Sequence, residues 1–123
     1  MELALECEWD RNRKEIKHDF EKLLFVRAAM KVFICSPGSR LFKATIGIVE
    51  DAVKSHRLAV EDDEYGLVVF HSGTAVHNAR TVPVQGFIAT GSSGKLRLVR
   101  REEYPDTFRR AFEPVGIGQQ GHR

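Results

Sequence analysis

The first 35 residues change their hydrophobic period twice, and this constrains the fold more than any other feature of the chain. Residues 3–9 alternate with the period of a β-strand. From about Lys14 the apolar residues recur at helical spacing, and Ile16, Phe20 and Leu23 fall on one stripe. Residues 31–35 form a short, nearly continuous apolar run, which is typical of a buried central strand. Strand, helix and strand with short connections predict a βαβ unit with parallel strands.

The rest of the chain predicts one more helix and then further strands. A turn at residues 36–39 precedes a helix that runs to about His56, and the acidic stretch around Asp62 is a predicted loop. Strands are expected at residues 66–71, 82–89 and 96–100, with Pro83 favouring a sheet edge or a strand start. We therefore expect a single α/β domain over residues 1–115, with a mixed sheet, and a loose tail at residues 116–123.

Composition places the chain in an ordinary class of globular proteins. Its 123 residues are 42% hydrophobic and 29% charged, and the formal net charge is only +2, so charge alone does not require a polyanionic partner. No apolar run is long enough to span a membrane, and the N-terminus lacks the pattern of a signal peptide. Cys7 and Cys35 sit in apolar runs, which predicts buried free thiols and a reducing, cytoplasmic location.

Glu6 and Glu8 are the residues most suggestive of chemistry. Side chains two apart on a strand point to the same face, so the two carboxylates should project side by side at the C-terminal end of the first strand. Such a pair repels itself unless a cation lies between the carboxylates, and Mg²⁺ is the natural partner. The alternative is a half-exposed strand with solvated acids.

The same region resembles the PD-(D/E)XK nuclease superfamily. The resemblance runs through Leu-Ala-Leu-Glu-Cys-Glu-Trp at residues 3–9, Asp-Phe-Glu-Lys-Leu-Leu at 19–24 and Lys-Val-Phe-Ile at 31–34. It implies a restriction-endonuclease-like fold and a Mg²⁺-dependent phosphodiesterase that acts on DNA. Glu6 then takes the place of the metal-binding acid and Glu8 stands where the family usually has lysine. Lys22 would supply the missing cation from the following helix.

The chain departs from that family at one point, because the family's first aspartate, carried upstream of the strand, has no counterpart in this sequence. The resemblance therefore implies either a nuclease whose N-terminal part lies outside this chain or a degenerate relative. For Lys22 the alternative to a catalytic role is an i, i+3 pair with Asp19 on the helix surface. Ser39 and Arg40, at a helix start, are weaker candidates for contact with a DNA phosphate.

A function of another class is also compatible with the sequence. The chain would then be a non-enzymatic α/β module that binds a protein partner or forms a homo-oligomer through an unpaired sheet edge.

Overall fold

The structure, a computed structural model, describes residues 3–9, 11–56, 62–71, 74–76 and 79–105. Its elements follow the predicted order of strand, helix, strand, helix and further strands. They are β1 (Leu3–Glu8), α1 (Arg13–Leu24), β2 (Met30–Cys35), a 3₁₀ turn (Ser39–Leu41), α2 (Phe42–Ser55), β3 (Glu64–Phe70), β4 (Thr74–Val76), β5 (Ala79–Thr90) and β6 (Arg97–Pro105). The three-residue strand β4 was not predicted. The predicted tail lies outside the described residues.

The six strands of the described residues belong to one mixed sheet. β1, β2 and β3 are parallel neighbours joined by α1 and α2, so the predicted βαβ unit is present and a second one follows it. β5 then runs antiparallel to β3, and β6 runs antiparallel to β5. The α/β class with a mixed sheet is therefore confirmed.

Helix α1 begins where its sequence supplies a cap. The Oδ1 atom of Asn12 accepts hydrogen bonds from the backbone N–H groups of Lys14 at 2.8 Å and Glu15 at 3.3 Å. This satisfies two of the four N–H groups that the start of a helix leaves without an internal partner. The helix ends at Leu24, and the backbone N–H of Phe25 there donates a hydrogen bond to the carbonyl oxygen of Lys22 at 3.3 Å.

Both helices cover the same face of the sheet. Along β2 the buried residues alternate with half-buried ones, and Phe33 and Cys35 are fully buried against the helices. Phe33 packs edge to face with Phe20 of α1, with ring centroids 5.6 Å apart. The core between sheet and helices is formed by these residues together with Ile16, Leu23, Val49, Val53, Tyr65, Leu67 and Val69.

The opposite face of β1 has no helix over it among the described residues. Leu3 and Leu5 are each 53% exposed, and Cys7 on the same face is exposed too. The prediction that Cys7 is buried was wrong, because the alternation of a strand separates its two faces without indicating which face the helices cover. Cys35 is buried, as predicted.

Pro83 lies inside β5, not at an edge or a strand start. Its carbonyl oxygen accepts a hydrogen bond from the backbone N–H of His71, just beyond the end of β3, at 2.9 Å. On that side of β5, β3 pairs with residues from Val84 onward and β4 pairs with residues up to Thr81. On this side Pro83 therefore falls between the two ladders, where it has no N–H to return a bond to His71; on its other side it pairs with Glu103 of β6.

Candidate metal and phosphate site

Glu6 and Glu8 occupy the helix-covered face of β1. Glu6 lies opposite Phe33 and Glu8 opposite Cys35 in the parallel ladder with β2, and both of those partners point into the core. The two glutamates are half-buried. The prediction that they share one face at the C-terminal end of the strand is thus met. The helix above that face is α1, which brings its own charged residues to them.

Lys22 of α1 contacts carboxylates from two elements. Its Nζ atom lies 3.0 Å from Oδ1 of Asp19, one turn earlier on the helix, and 3.9 Å from Oε2 of Glu6 on β1. From the sequence, a surface pair of Lys22 with Asp19 and a contact of Lys22 with the acids of β1 were alternatives. The structure contains both contacts. Lys22 remains more than half exposed, so solvent also reaches its ammonium group.

From the sequence, Asp19 was considered only as a surface partner of Lys22, and its place in the site was missed. Asp19 is only 9% exposed, because it lies on the same buried stripe of α1 as Ile16, Phe20 and Leu23. A carboxylate is rarely buried unless it is paired. The signal was therefore present in the sequence, since Asp19 is the one acid on an otherwise apolar stripe.

The carboxyl groups of Asp19 and Glu8 lie close to each other. Their interaction is the main cause that lowers the pKa of Asp19, and the neighbouring Lys22 lowers it further. Conversely, the hydrogen bond to Asp19 and the charges of Asp19, Glu6 and Glu8 raise the pKa of Lys22. Acidic side chains that meet in this way favour a cation beside them, and Lys22 is such a cation.

No group of three or more histidine, cysteine, aspartate or glutamate residues in the described part of the chain is placed so that it could hold a metal ion. Mg²⁺ usually binds proteins through one or two carboxylates and keeps water or substrate phosphate oxygens in its other positions. Glu6 and Glu8 supply two carboxylates on one face of β1.

A cavity of about 550 Å³ opens at the same end of the sheet. It lies between the β1–α1 loop and the β2–α2 loop, so it is bordered by the segments that directly follow Glu8 and Cys35. Its lining is basic and polar: Arg11, Asn12, Arg13, Pro37, Gly38, Ser39, Arg40 and Leu41. Ser39 and Arg40, the predicted phosphate contacts, are both among these residues. Arg11 and Arg13 were not singled out from the sequence.

No family model, curated protein or solved structure matches this chain. None of the helices in the described ranges is long and apolar enough to cross a membrane.

Proposed function

We propose that this chain is a Mg²⁺-dependent phosphodiesterase domain of the PD-(D/E)XK type, with a restriction-endonuclease-like fold, and that it acts on DNA. The observation that supports this most is the meeting of Glu6, Glu8, Asp19 and Lys22 where β1 ends beneath α1. Acids on a strand with a lysine beside them are the arrangement that the resemblance at residues 3–9 and 19–24 implies. Here the lysine comes from the helix and not from the strand.

Glu6 and Glu8, on one face of β1, would hold Mg²⁺, since a hard divalent cation of this kind is usually bound by one or two carboxylates. When bound, Mg²⁺ supplies Lewis acidity, which activates a water molecule and offsets charge on a phosphoryl group.

The chain's own residues have separate roles in this proposal. Lys22 stays protonated, with its pKa raised by Asp19, and so presents a fixed positive charge where charge develops on the phosphoryl oxygens. Asp19 orients Lys22 through the 3.0 Å ion pair. Ser39 and Arg40, on the loop after β2, contact a neighbouring phosphate and hold the DNA in place.

Calorimetric titration with Mg²⁺, Mn²⁺ and Ca²⁺ tests the metal site directly. We expect binding that Glu6→Gln and Glu8→Gln each weaken by at least about tenfold, because each removes one ligand charge. Glu21→Gln is the matched control, since Glu21 is also on α1 but pairs with Lys17 away from the cluster. If no cation produces heat or a thermal shift, the phosphodiesterase proposal is wrong.

A second candidate function, the non-enzymatic interaction module, is favoured by a different observation. β1 is the terminal strand of the sheet formed by the described residues, and its Leu3 and Leu5 are half-exposed. A terminal strand offers unpaired backbone groups to another chain, which would allow a homo-oligomer to form. Sedimentation velocity over a wide concentration range tests this. A single monomeric species at all concentrations contradicts it, and dimers that Leu5→Lys dissociates would support it.

A further inference from the structure

The cavity between the β1–α1 and β2–α2 loops has the composition of an anion site. Three arginines line it, Arg11, Arg13 and Arg40, and among the described residues around it none is acidic. Guanidinium groups present several N–H donors in a plane and match the oxygens of a phosphate group. A solvated surface usually intersperses the two signs of charge, so three guanidinium groups around one concavity favour an anionic ligand.

The start of α2, which borders the cavity, carries the wrong charge for an isolated helix. α2 has no acidic residue in its first turn and no side-chain cap on its N–H groups, and Lys43 lies in that turn. The start of α1 differs, because Asn12 caps it and Glu15 lies in its first turn with Arg13. An anion in the cavity would make the start of α2 more favourable.

Arg11 is held across the cavity by the loop after β2. Its Nε atom donates a hydrogen bond to the carbonyl oxygen of Ser36 at 3.2 Å. Gly38 adopts a positive φ of 84°, and a Cβ atom placed there would lie 3.4 Å from Cδ of Arg11. Glycine at this position thus leaves room for the arginine stem. One of the five N–H donors of Arg11 is used on Ser36, and the rest of the guanidinium group is oriented by that bond.

We propose that this cavity binds a phosphomonoester at the end of a nucleic-acid strand through Arg11, Arg13 and Arg40. A phosphomonoester carries nearly two negative charges at pH 7, whereas an internal phosphodiester carries one. Three lining cations favour the more highly charged group. The cavity volume of about 550 Å³ is that of a small-ligand pocket and is large enough for one phosphate with its adjoining nucleoside. That the ligand is a nucleic acid rests on the proposed function.

Fluorescence anisotropy with a short labelled oligonucleotide tests the proposal. The strand carries a 5′-phosphate, a 3′-phosphate or two hydroxyl ends, and EDTA prevents cleavage. We expect one of the phosphorylated strands to bind at least about tenfold more tightly than the hydroxyl-ended strand, since charge-assisted hydrogen bonds to the terminal group are added. The two phosphorylated arms identify which end the cavity takes. Inorganic phosphate should compete with that strand and not with the hydroxyl-ended one.

Substitutions of single arginines distinguish binding in the cavity from nonspecific attraction of the oligonucleotide to a basic protein surface. Arg40→Gln and Arg13→Gln should each abolish the preference for the phosphorylated end, and neither residue makes a hydrogen bond on which the fold depends in the described structure. Arg27→Gln is the control, because Arg27 is exposed and precedes β2 at the opposite end of the sheet. Equal binding of all three strands, or an equal effect of the Arg27 variant, overturns the proposal. The metal titration contains no nucleic acid, so the phosphodiesterase proposal stands or falls separately.

Discussion

Replacement of Lys22 by methionine separates a catalytic lysine from a surface ion pair. The change removes the ammonium group that lies 3.0 Å from Asp19 and 3.9 Å from Glu6, and keeps an unbranched stem of similar length. Because Lys22 is more than half exposed, its ion pairs are screened by water, and we expect the thermal midpoint to move by no more than a few degrees. The cost should therefore lie almost wholly in the reaction.

The expected loss of activity is large by comparison. Removal of one group that stabilises charge in a transition state typically lowers kcat by about 100-fold to 1000-fold. We expect a loss in this range for Lys22→Met, measured as the initial rate of cleavage of a labelled DNA duplex in Mg²⁺. The affinity for Ca²⁺ should be no weaker than in the wild type, because the substitution removes a cation that competes for Glu6.

Lys17→Met is the matched control for this experiment. Lys17 lies on the same helix, is exposed, and pairs with Glu21 at 4.0 Å without touching β1. It should leave both the rate and the thermal midpoint near the wild-type values. A Lys22→Met protein that cleaves DNA within about threefold of the wild-type rate would refute the role assigned to Lys22.

Three further outcomes follow from the fold. In the native protein Cys7 should react with a thiol reagent and Cys35 should not, because burial raises the pKa of Cys35 to about 12 and excludes the reagent. The substitution Cys7→Ser should therefore abolish the reaction of the native protein. Phe33→Ala should lower the free energy of unfolding by about 3–5 kcal/mol in urea titrations, since Phe33 is fully buried against Phe20. Burial lowers the pKa of Lys31, so the folded state disfavours the charged form of this lysine. As the pH rises from this lowered pKa toward the ordinary value of 10.5, the free energy of unfolding of the wild type should therefore increase relative to that of Lys31→Met.

Each of these outcomes has a clear contrary result. Phe25→Ala is the control for the core substitution, because Phe25 is 73% exposed and its loss should be nearly neutral. Equal losses at Phe25 and Phe33 would contradict the assigned core. Rapid native modification of Cys35 would contradict its burial. For Lys31, the fold is contradicted if the stability difference from the methionine variant stays constant between pH 8 and pH 10.5.

The element order was predictable because local spacing encodes it. Alternation over residues 3–9 and the helical stripe that includes Phe20 are properties of the chain itself, and the two adjacent apolar strands leave little choice but a βαβ unit. Which face of β1 the helices cover is a property of the whole sheet. That is why Glu6 and Glu8 were correctly placed on one side while Cys7 was wrongly buried.

The candidate site was predictable only where its residues share one element. Glu6 and Glu8 share a strand, so their spacing was enough to pair them. Asp19 meets Glu8 only because α1 crosses β1 in the orientation that buries Phe20 and Leu23, and sequence spacing does not define that crossing. Arg11 and Arg40 come together for a similar reason. They follow adjacent parallel strands, and the path of the loop at Gly38 decides which arginines line the cavity.

Helix α1 carries residues of both proposed sites, so its rigid axis fixes the spacing between those residues. Arg13 is the first residue of α1 and lines the cavity, whereas Asp19 and Lys22, two to three turns later on the helix, lie beside the carboxylates of β1. A rise of 1.5 Å per residue separates them by roughly 9–14 Å along a rigid axis. On the two proposals together, this helix would set the spacing between the end phosphate of a bound strand and the carboxylates beside Lys22.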